Sequence, residues 1–476
     1  MLFNSFQFLW LFPLVFFAYW GGTFWMKGKK ALPMFANALL LWVSYGLYVW
    51  WNPVAALFLL GVTAVTYLFA LWIERKEAYG KKKFLMVSGV LLAFLPLTIF
   101  KYYNFLLSAL SGALAFIGVQ VGMLGMNWIV PLGISFFTFQ AVGYLWDVYY
   151  QKVKAEHSWW DYMLFVAFFP QIASGPISKY KDLMPQIKAM RQFDSARVLQ
   201  GGKCFLWGMF LKVVLADRLG LLVDSILPHY ENQTGASCAL AAVLYSFQIY
   251  GDFAGYSLMA VGVGRMLGFE LVNNFNRPYF AATVTEFWKR WHISLTKWLT
   301  DYVYIPLGGS RCSKSRNYYN IIVTFLVSGI WHGANWTFIV WGLLHGLFQI
   351  VEKGLGWQKC GNAHVRPFRV VFTFLLVTVA WVFFRMPTLE DGCGVLLKIC
   401  MEFGHLSLSS PRSQILLSFS ALAVVCVVEA SEEHGARFSL LNHKSAVVRW
   451  ATCLVLVSSI LLCGVLDAGS FIYVSF

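Results

Sequence analysis

The chain has 476 residues, 59% of them hydrophobic and 12% charged, and a formal net charge of +15. A soluble chain carries about twice that share of charge, and apolar stretches of membrane-spanning length recur from end to end. A soluble fold is therefore excluded, and so is a β-barrel, whose strands would alternate polar and apolar residues. The positive charge reads as the Lys and Arg excess of cytoplasmic loops, not as a nucleic-acid footprint.

In chain order, a first span runs from about Phe3 to Trp20 and leads to Lys27, Lys29 and Lys30. This N-terminus lacks a basic region and a small-residue cleavage site, so it reads as a retained span rather than a signal peptide. The basic loop after it is cytoplasmic by the positive-inside rule, which puts the N-terminus outside. A second span, about Leu32 to Trp50, ends at the turn WNP. A third, about Val54 to Ile73, ends at ERKEAYGKKK, Glu74 to Lys83, again a cytoplasmic loop. Further spans fall near 84–100, 104–124 and 129–148. The segment FFPQIASGPISKY at 168–180 is punctuated by Pro and Gly. After it, Leu183, Ile187 and Met190 recur at helical spacing, as in an interfacial helix. More spans lie near 203–225, 237–268, 367–385, 414–429 and 447–466. The total is roughly ten to twelve spans at about twenty residues each. No linker divides the chain, so 1–476 reads as one membrane domain. The nine cysteines form no CxxC pair. They read as small hydrophobes, and no metal site is expected.

The segment TVTEFWKRWHISLTKWLTDYVYIPLGGSR, Thr283 to Arg311, interrupts the apolar pattern. Thr283 and Glu286 have capping-box spacing. Trp288, Trp291, Leu295, Trp298, Leu299 and Tyr302 make one apolar stripe, with Lys289, Arg290, Lys297 and Asp301 opposite. A cationic helix with a tryptophan stripe belongs at the membrane interface. His292 falls at the border of the two faces, as an interfacial histidine or as one that touches a cavity below.

His332 stands in SGIWHGANWTF, inside the apolar run Tyr319 to Phe348. A helix from Tyr319 puts it roughly 20 Å deep, where ionisable groups face a protein interior or a watery cavity. Gly329, Gly333 and Asn335 interrupt the helix, and the run reads as two segments that meet near WHGAN. A neutral imidazole there can take the proton of a hydroxyl that attacks a thioester. It can equally be a helix-packing histidine, and both readings stand at this point. His345, in LLHG, is read as a packing residue. Asp252, in YGDFAGYS, is a second in-membrane ionisable group, either a tunnel residue or a paired structural one. The glycines Gly264 and Gly268 of VGVGRMLGF read as helix-packing residues, because no strand surrounds them.

Several of these segments resemble the membrane-bound O-acyltransferase family, in its bacterial alginate and peptidoglycan O-acetyltransferase branch. The matching stretches are MLFNSFQFLWLFPLVFF, PLGISFFTFQAVGYLWDVY (131–149), FFPQIASGPI (168–177), GDFAGYSLMAVGVGRMLGF (251–269), NNFNRPYFAATVTEFWKRWHISLTKWLTDYVYIPLGG (273–309) and SGIWHGANWTFIVWGLLHG (328–346). The resemblance implies a ring of transmembrane helices with re-entrant and interfacial helices around a central tunnel. It implies that His332 is the essential base and His292 the family's second histidine. Trp331, Asn335, Asp252 and Arg290 are the expected tunnel or donor-binding residues. The C-terminal FIYVSF, Phe471 to Phe476, is similar to a motif whose tyrosine relays the acyl group. Tyr473 matches that tyrosine, while Val474 and Ser475 depart from the usual FIYFQF. An aromatic anchor at the interface is the other reading of Tyr473. Leu258 stands where the branch commonly has an aspartate, so no role of that acid transfers.

The implied activity takes acetyl from cytoplasmic acetyl-CoA, with no bound cofactor, and passes it across the inner membrane. A periplasmic partner then acetylates a polysaccharide hydroxyl, of alginate-like polymer or peptidoglycan. Both termini are expected on the outer face. A carrier-protein donor, as in D-alanylation of teichoic acid, and a transporter or export channel without covalent chemistry are the alternatives.

Overall fold

A computed structural model describes residues 3–26, 32–119, 125, 130–172, 174–357, 364–435 and 440–465. Among these the regular elements are helices, with no strand. The chain packs into two compact units, Met1–Gln200 with Val263–Val272, and Gly201–Gly262 with Asn273–Phe476.

The first unit contains α1 (Phe6–Trp25), α2 (Leu32–Trp51), α3 (Pro53–Arg75) and α4 (Tyr79–Leu97). A π-helical turn, Thr98–Tyr102, leads into α5 (Tyr103–Phe116). Then come α6 (Ile134–Tyr149), α7 (Trp159–Ala167) and α8 (Tyr180–Lys188). The WNP turn separates α2 from α3 through one residue's chemistry. Asn52 is extended, its Oδ1 accepts the Ala55 N–H at 3.0 Å, and Pro53 takes the first helical position, where its missing N–H costs nothing. Two buried hydroxyls in these apolar helices are satisfied within their own helix. Thr63 Oγ1 donates to Leu59 O at 2.7 Å, and Ser44 Oγ to Leu40 O at 2.7 Å. The helix foreseen from Leu183, Ile187 and Met190 ends at Lys188, and Met190 is exposed. Ala189 is extended because Arg191 pulls the chain away. Its Nη2 donates to Asn37 Oδ1 at 2.7 Å, and its guanidinium lies 4.3 Å from the Phe269 ring centre.

The second unit starts in α9 (Ser195–Met209) and continues through a π-helical segment, Phe210–Ala216, into α10 (Asp217–Asp224). Next is α11 (Gly235–Met266), whose last turn belongs to the first unit. The helix-packing glycines are not Gly264 and Gly268. A Cβ on Gly255 would lie 2.6 Å from the Gly208 carbonyl oxygen, and one on Gly262 2.6 Å from that of Gly201. These pairs let α9 and α11 touch backbone to backbone. Gly268 instead has φ +84° just past the end of α11, a conformation that favours glycine.

The remaining helices are α12 (Val284–Arg290), α13 (Ile293–Leu299), α14 (Lys314–His332), α15 (Trp336–Gly354), α16 (Arg366–Arg385), α17 (Leu389–Met401), α18 (Arg412–Glu433) and α19 (Ala446–Cys463). Among the described residues seven helical stretches are long and apolar enough to cross a membrane: α1, α2, α3, α4 through α5, α16, α18 and α19. The chain is thus an all-α polytopic membrane protein. Others that the sequence suggested as spans are interrupted or more polar. The clearest case is 203–225, which divides into α9, the π-helical segment and α10, whereas α14 and α15 form a hairpin as the two segments expected of the run Tyr319 to Phe348.

Candidate functional site

The hairpin sets the site. α14 begins at Lys314, earlier than the sequence suggests, so His332, its last residue, stands about 27 Å along the axis at 1.5 Å per residue. The open ends meet, with Lys353 Nζ donating to Asn317 Oδ1. Three glycines allow the close crossing. A Cβ on Gly329 would lie 2.3 Å from Phe338 O, one on Gly342 2.4 Å from Phe325 O, and one on Gly333 2.0 Å from the Phe338 ring. Gly333 is extended and ends α14. Asn335 then caps α15: its Oδ1 accepts the Thr337 N–H at 3.2 Å and its Nδ2 donates to Pro387 O at 2.7 Å. The side chain of Asn335 is therefore engaged on both sides, as the lock of the hairpin tip.

The amphipathic segment breaks where one continuous helix was expected. Thr283 does cap α12, with Oγ1 accepting the Glu286 N–H at 2.9 Å, while Glu286 reaches back to the Ala282 N–H at 2.9 Å. The helix then stops at Trp291, and His292 adopts φ +41°, ψ +54°. A non-glycine residue in this region is strained and needs surrounding structure to hold it. Asn274 supplies that support. Its carbonyl accepts the Ile293 N–H at 2.9 Å, and its Oδ1 accepts the Ser294 N–H at 3.1 Å. The first orphan donors of α13 are thus satisfied from outside the helix. This break turns His292 inward. It is fully buried, not at a polar border, and the stripe Trp288, Trp291, Leu295, Trp298, Leu299 and Tyr302 is buried with it.

The two breaks bring the two histidines together. The ring centres of His292 and His332 are 6.5 Å apart, although the residues are forty positions apart in sequence. Trp331 touches both, at 5.8 Å and 4.9 Å. Phe253 packs on His292 at 4.6 Å, and Trp341 and Phe384 pack on His332 at 4.9 and 5.4 Å. The result is an imidazole pair inside an aromatic cage, with His332 only 3% exposed. His345 belongs to the same cage. Its Nδ1 accepts the Trp288 Nε1–H at 3.2 Å, and its ring lies 5.0 Å from Trp341.

The other singled-out residues that the structure describes have partners of their own. Asp252 is buried beside Phe253 and forms an ion pair at 2.6 Å with Lys212, which also reaches Asp217 at 2.6 Å. Arg290 holds Glu433 in a bidentate pair, both contacts 2.9 Å, and Glu286 at 2.7 Å. That cluster ties α12 to the end of α18. Tyr473 lies outside the described residues. Asn274 was not singled out in the sequence. The available signal was a pair of adjacent amides, Asn273–Asn274, flanked by apolar residues.

Chemically, two imidazoles at this spacing can flank one small reacting group, one taking or giving its proton and the other orienting it. Aromatic walls of this kind exclude water, which protects a reactive intermediate from hydrolysis.

A sequence profile described as "MBOAT, membrane-bound O-acyltransferase family" matches residues 150–359. The chain is similar to "Probable alginate O-acetylase AlgI" of Pseudomonas aeruginosa, 39% identical over 391 residues, 82% of this chain and 73% of the relative. It is also similar to the peptidoglycan O-acetyltransferase of Helicobacter pylori, 34% identical over 424 residues, 83% of this chain and 79% of the relative. Similarity to the teichoic acid D-alanyltransferase of Bacillus subtilis is 29% over 320 residues, 63% of this chain and 77% of the relative.

Proposed function

Since the chain belongs to the membrane-bound O-acyltransferase family, we propose that it carries acetyl groups from acetyl-CoA across the cytoplasmic membrane for O-acetylation of a polysaccharide. The observation that carries this reading is the caged pair of His332, at the tip of the hairpin, and His292, at the break between α12 and α13, with ring centres 6.5 Å apart.

In this reading His332 is the general base. It removes the phenolic proton of Tyr473 as the phenolate oxygen attacks the acetyl carbonyl carbon. The new C–O bond forms, the C–S bond breaks, and the departing coenzyme A thiolate takes up the proton held by His332. His292 orients the donor from the other side. The acetyl ester on Tyr473 is then passed by a periplasmic partner protein to a sugar hydroxyl, which takes the acetyl group and returns the proton to the tyrosine. The bilayer separates the two half-reactions. The basic loops at 27–30 and 74–83 support a cytoplasmic donor side, with both termini outside. An acetyl donor is favoured over a carrier-bound D-alanyl group because the O-acetylating relatives match 82% and 83% of the chain, the D-alanyl one 63%. The acceptor is of the alginate or peptidoglycan class that those relatives' names carry.

The test uses purified chain in nanodiscs with isotopically labelled acetyl-CoA. Label on Tyr473 in the wild type, absent in His332→Ala and Tyr473→Phe, is the expected result. Label that persists in His332→Ala removes the base from the proposal, and label elsewhere removes the tyrosine.

A further inference from the structure

α12 is only seven residues long, Val284–Arg290, and a helix that short is not stable by itself. Its place is set from outside, and His292, two residues past its end, moves with it. Asn274 holds that far end. The near end is held by α15, the second arm of the hairpin that has His332 at its tip.

Glu352 stands in the last turn of α15 and is 3% exposed. Its carboxylate oxygens accept the first two backbone N–H groups of α12. Val284 N–H donates to Oε1, and Thr285 N–H to Oε2 at 3.2 Å. The next N–H, of Glu286, goes to the Thr283 cap. The first donors of α12 are thus satisfied, two of them by another helix. One turn on, Trp288 Nε1–H donates to His345 Nδ1 at 3.2 Å. His345 lies seven residues before Glu352 on the same face of α15, about 10 Å nearer the hairpin tip. Trp341, one turn closer still, packs on both Trp288 and His332, at 5.7 and 4.9 Å. α12 therefore runs antiparallel to α15 and leads to the histidine pair.

The rest of this seam is aromatic, with Phe287 on His345 at 6.2 Å and Trp288 on Phe325 at 5.3 Å. Apolar contacts are non-directional and fit a helix at more than one register. The polar contacts do not. A shift of α12 along α15 leaves a buried carboxylate, two backbone donors and an indole N–H unpaired, each costly away from water.

We propose that Glu352 and His345 are positioning residues: they fix the register of α12 on α15, and with it the 6.5 Å spacing of His292 and His332. The proposal rests on the role of that pair in the reading above and deepens it. Glu352 lies sixteen residues past Trp336, the first residue of α15, or about 24 Å along the helix, so it acts on the pair only through α12. The glycine crossing places His332, and this clamp places His292.

The test uses the full chain in nanodiscs with isotopically labelled histidine. Solid-state NMR reads the ring signals, beside the acetyl-transfer rate, the KM for acetyl-CoA and the thermal midpoint. Glu352→Ala removes both acceptors, and Glu352→Gln keeps one. Glu352→Ala is expected to move the His292 ring signals and to lower the rate by about 10–100-fold at an unchanged KM. Glu352→Gln is expected to recover much of both. His345→Phe keeps a ring and removes the second acceptor. It is expected to move the His292 signals in the same way, and it carries the decision should Glu352→Ala fail to fold. His292 signals that stay at their wild-type positions in the folded variants overturn the proposal, as does a Glu352→Gln chain no better than Glu352→Ala. A wild type that transfers no acetyl overturns the donor reading instead, and the His292 signals still decide the register.

Discussion

Replacing Gly329 by alanine is expected to disable the site without touching a reacting group. The new methyl carbon would lie 2.3 Å from the Phe338 carbonyl oxygen and 3.1 Å from its carbon, where ordinary contact begins near 3.4 Å. Both clashes are with backbone, so no side chain can swing aside. The hairpin has to open by about 1 Å at this crossing, and overpacking of this kind costs about 1–3 kcal/mol. His332 lies three residues further along the same helix, so its ring shifts with the backbone relative to His292. A displacement near 1 Å in a reacting geometry lowers rate by roughly 100-fold. The assay is acetyl transfer from labelled acetyl-CoA in nanodiscs, with thermal midpoints measured beside it. Gly61→Ala in α3 is the control, since nothing lies within 4 Å of its new methyl, and alanine favours a helix. A Gly329→Ala chain with wild-type rate and midpoint would refute the claim that the glycine crossing sets the spacing of the histidines.

Other substitutions separate the roles of the remaining residues. His332→Gln keeps a polar side chain of similar size but cannot act as base, and its transfer rate is expected to fall by about 10²–10⁴; a smaller loss in single-turnover measurements would contradict the assignment. Asn335→Ala removes a helix cap and the bond to Pro387 O, so a loss of about 1 kcal/mol in stability is expected, read as a lower midpoint with a milder rate defect than His332→Gln. Asp252→Asn breaks a buried ion pair while Lys212 stays charged, and about 3–5 kcal/mol of destabilisation is expected; an unchanged midpoint would show that Asp217 alone can hold the lysine. In the loop before α7, burial pushes the Glu156 carboxyl up. Lys188 at 2.6 Å, Tyr180 at 2.6 Å and the Ser158 N–H at 2.9 Å outweigh that and hold it below its ordinary value of 4.5. A depressed carboxylate stabilises the fold fully above that ordinary value and loses its contribution as pH falls through its lowered pKa. Midpoints of the wild type and Glu156→Gln are therefore expected to differ at pH 6 and to converge as pH drops below about 4.5; a constant difference would reject the role of the charge.

Membrane class, the WNP turn, the Thr283 cap and the meeting of two segments near WHGAN were all legible in the sequence. Each depends on local chemistry: hydropathy over a span, an asparagine before a proline, a hydroxyl three residues from a glutamate, a polar interruption of an apolar run. His332 and His292 were legible as unusual positions for the same reason. Their relation was not. Spacing on a continuous helix put His292 at a border, and it is Asn274, eighteen residues earlier, that supports the break with its carbonyl and its Oδ1 and so lets the imidazole turn inward. The full engagement of Asn335, the pairing of Asp252 with Lys212 and the tie from Arg290 to Glu433 were equally invisible. Hydrophobic periodicity reports which face of an element leaves water, and it does so over a few turns. It carries no information on which distant carbonyl, amide or ion fills a vacancy at the end of a helix. By itself the sequence determined the solvent, the helices and the residue types at the breaks. The tertiary structure decided the site, because two helix breaks far apart in the chain, one of them strained at His292, become one cage only when long-range hydrogen bonds and backbone-to-backbone glycine contacts hold them together.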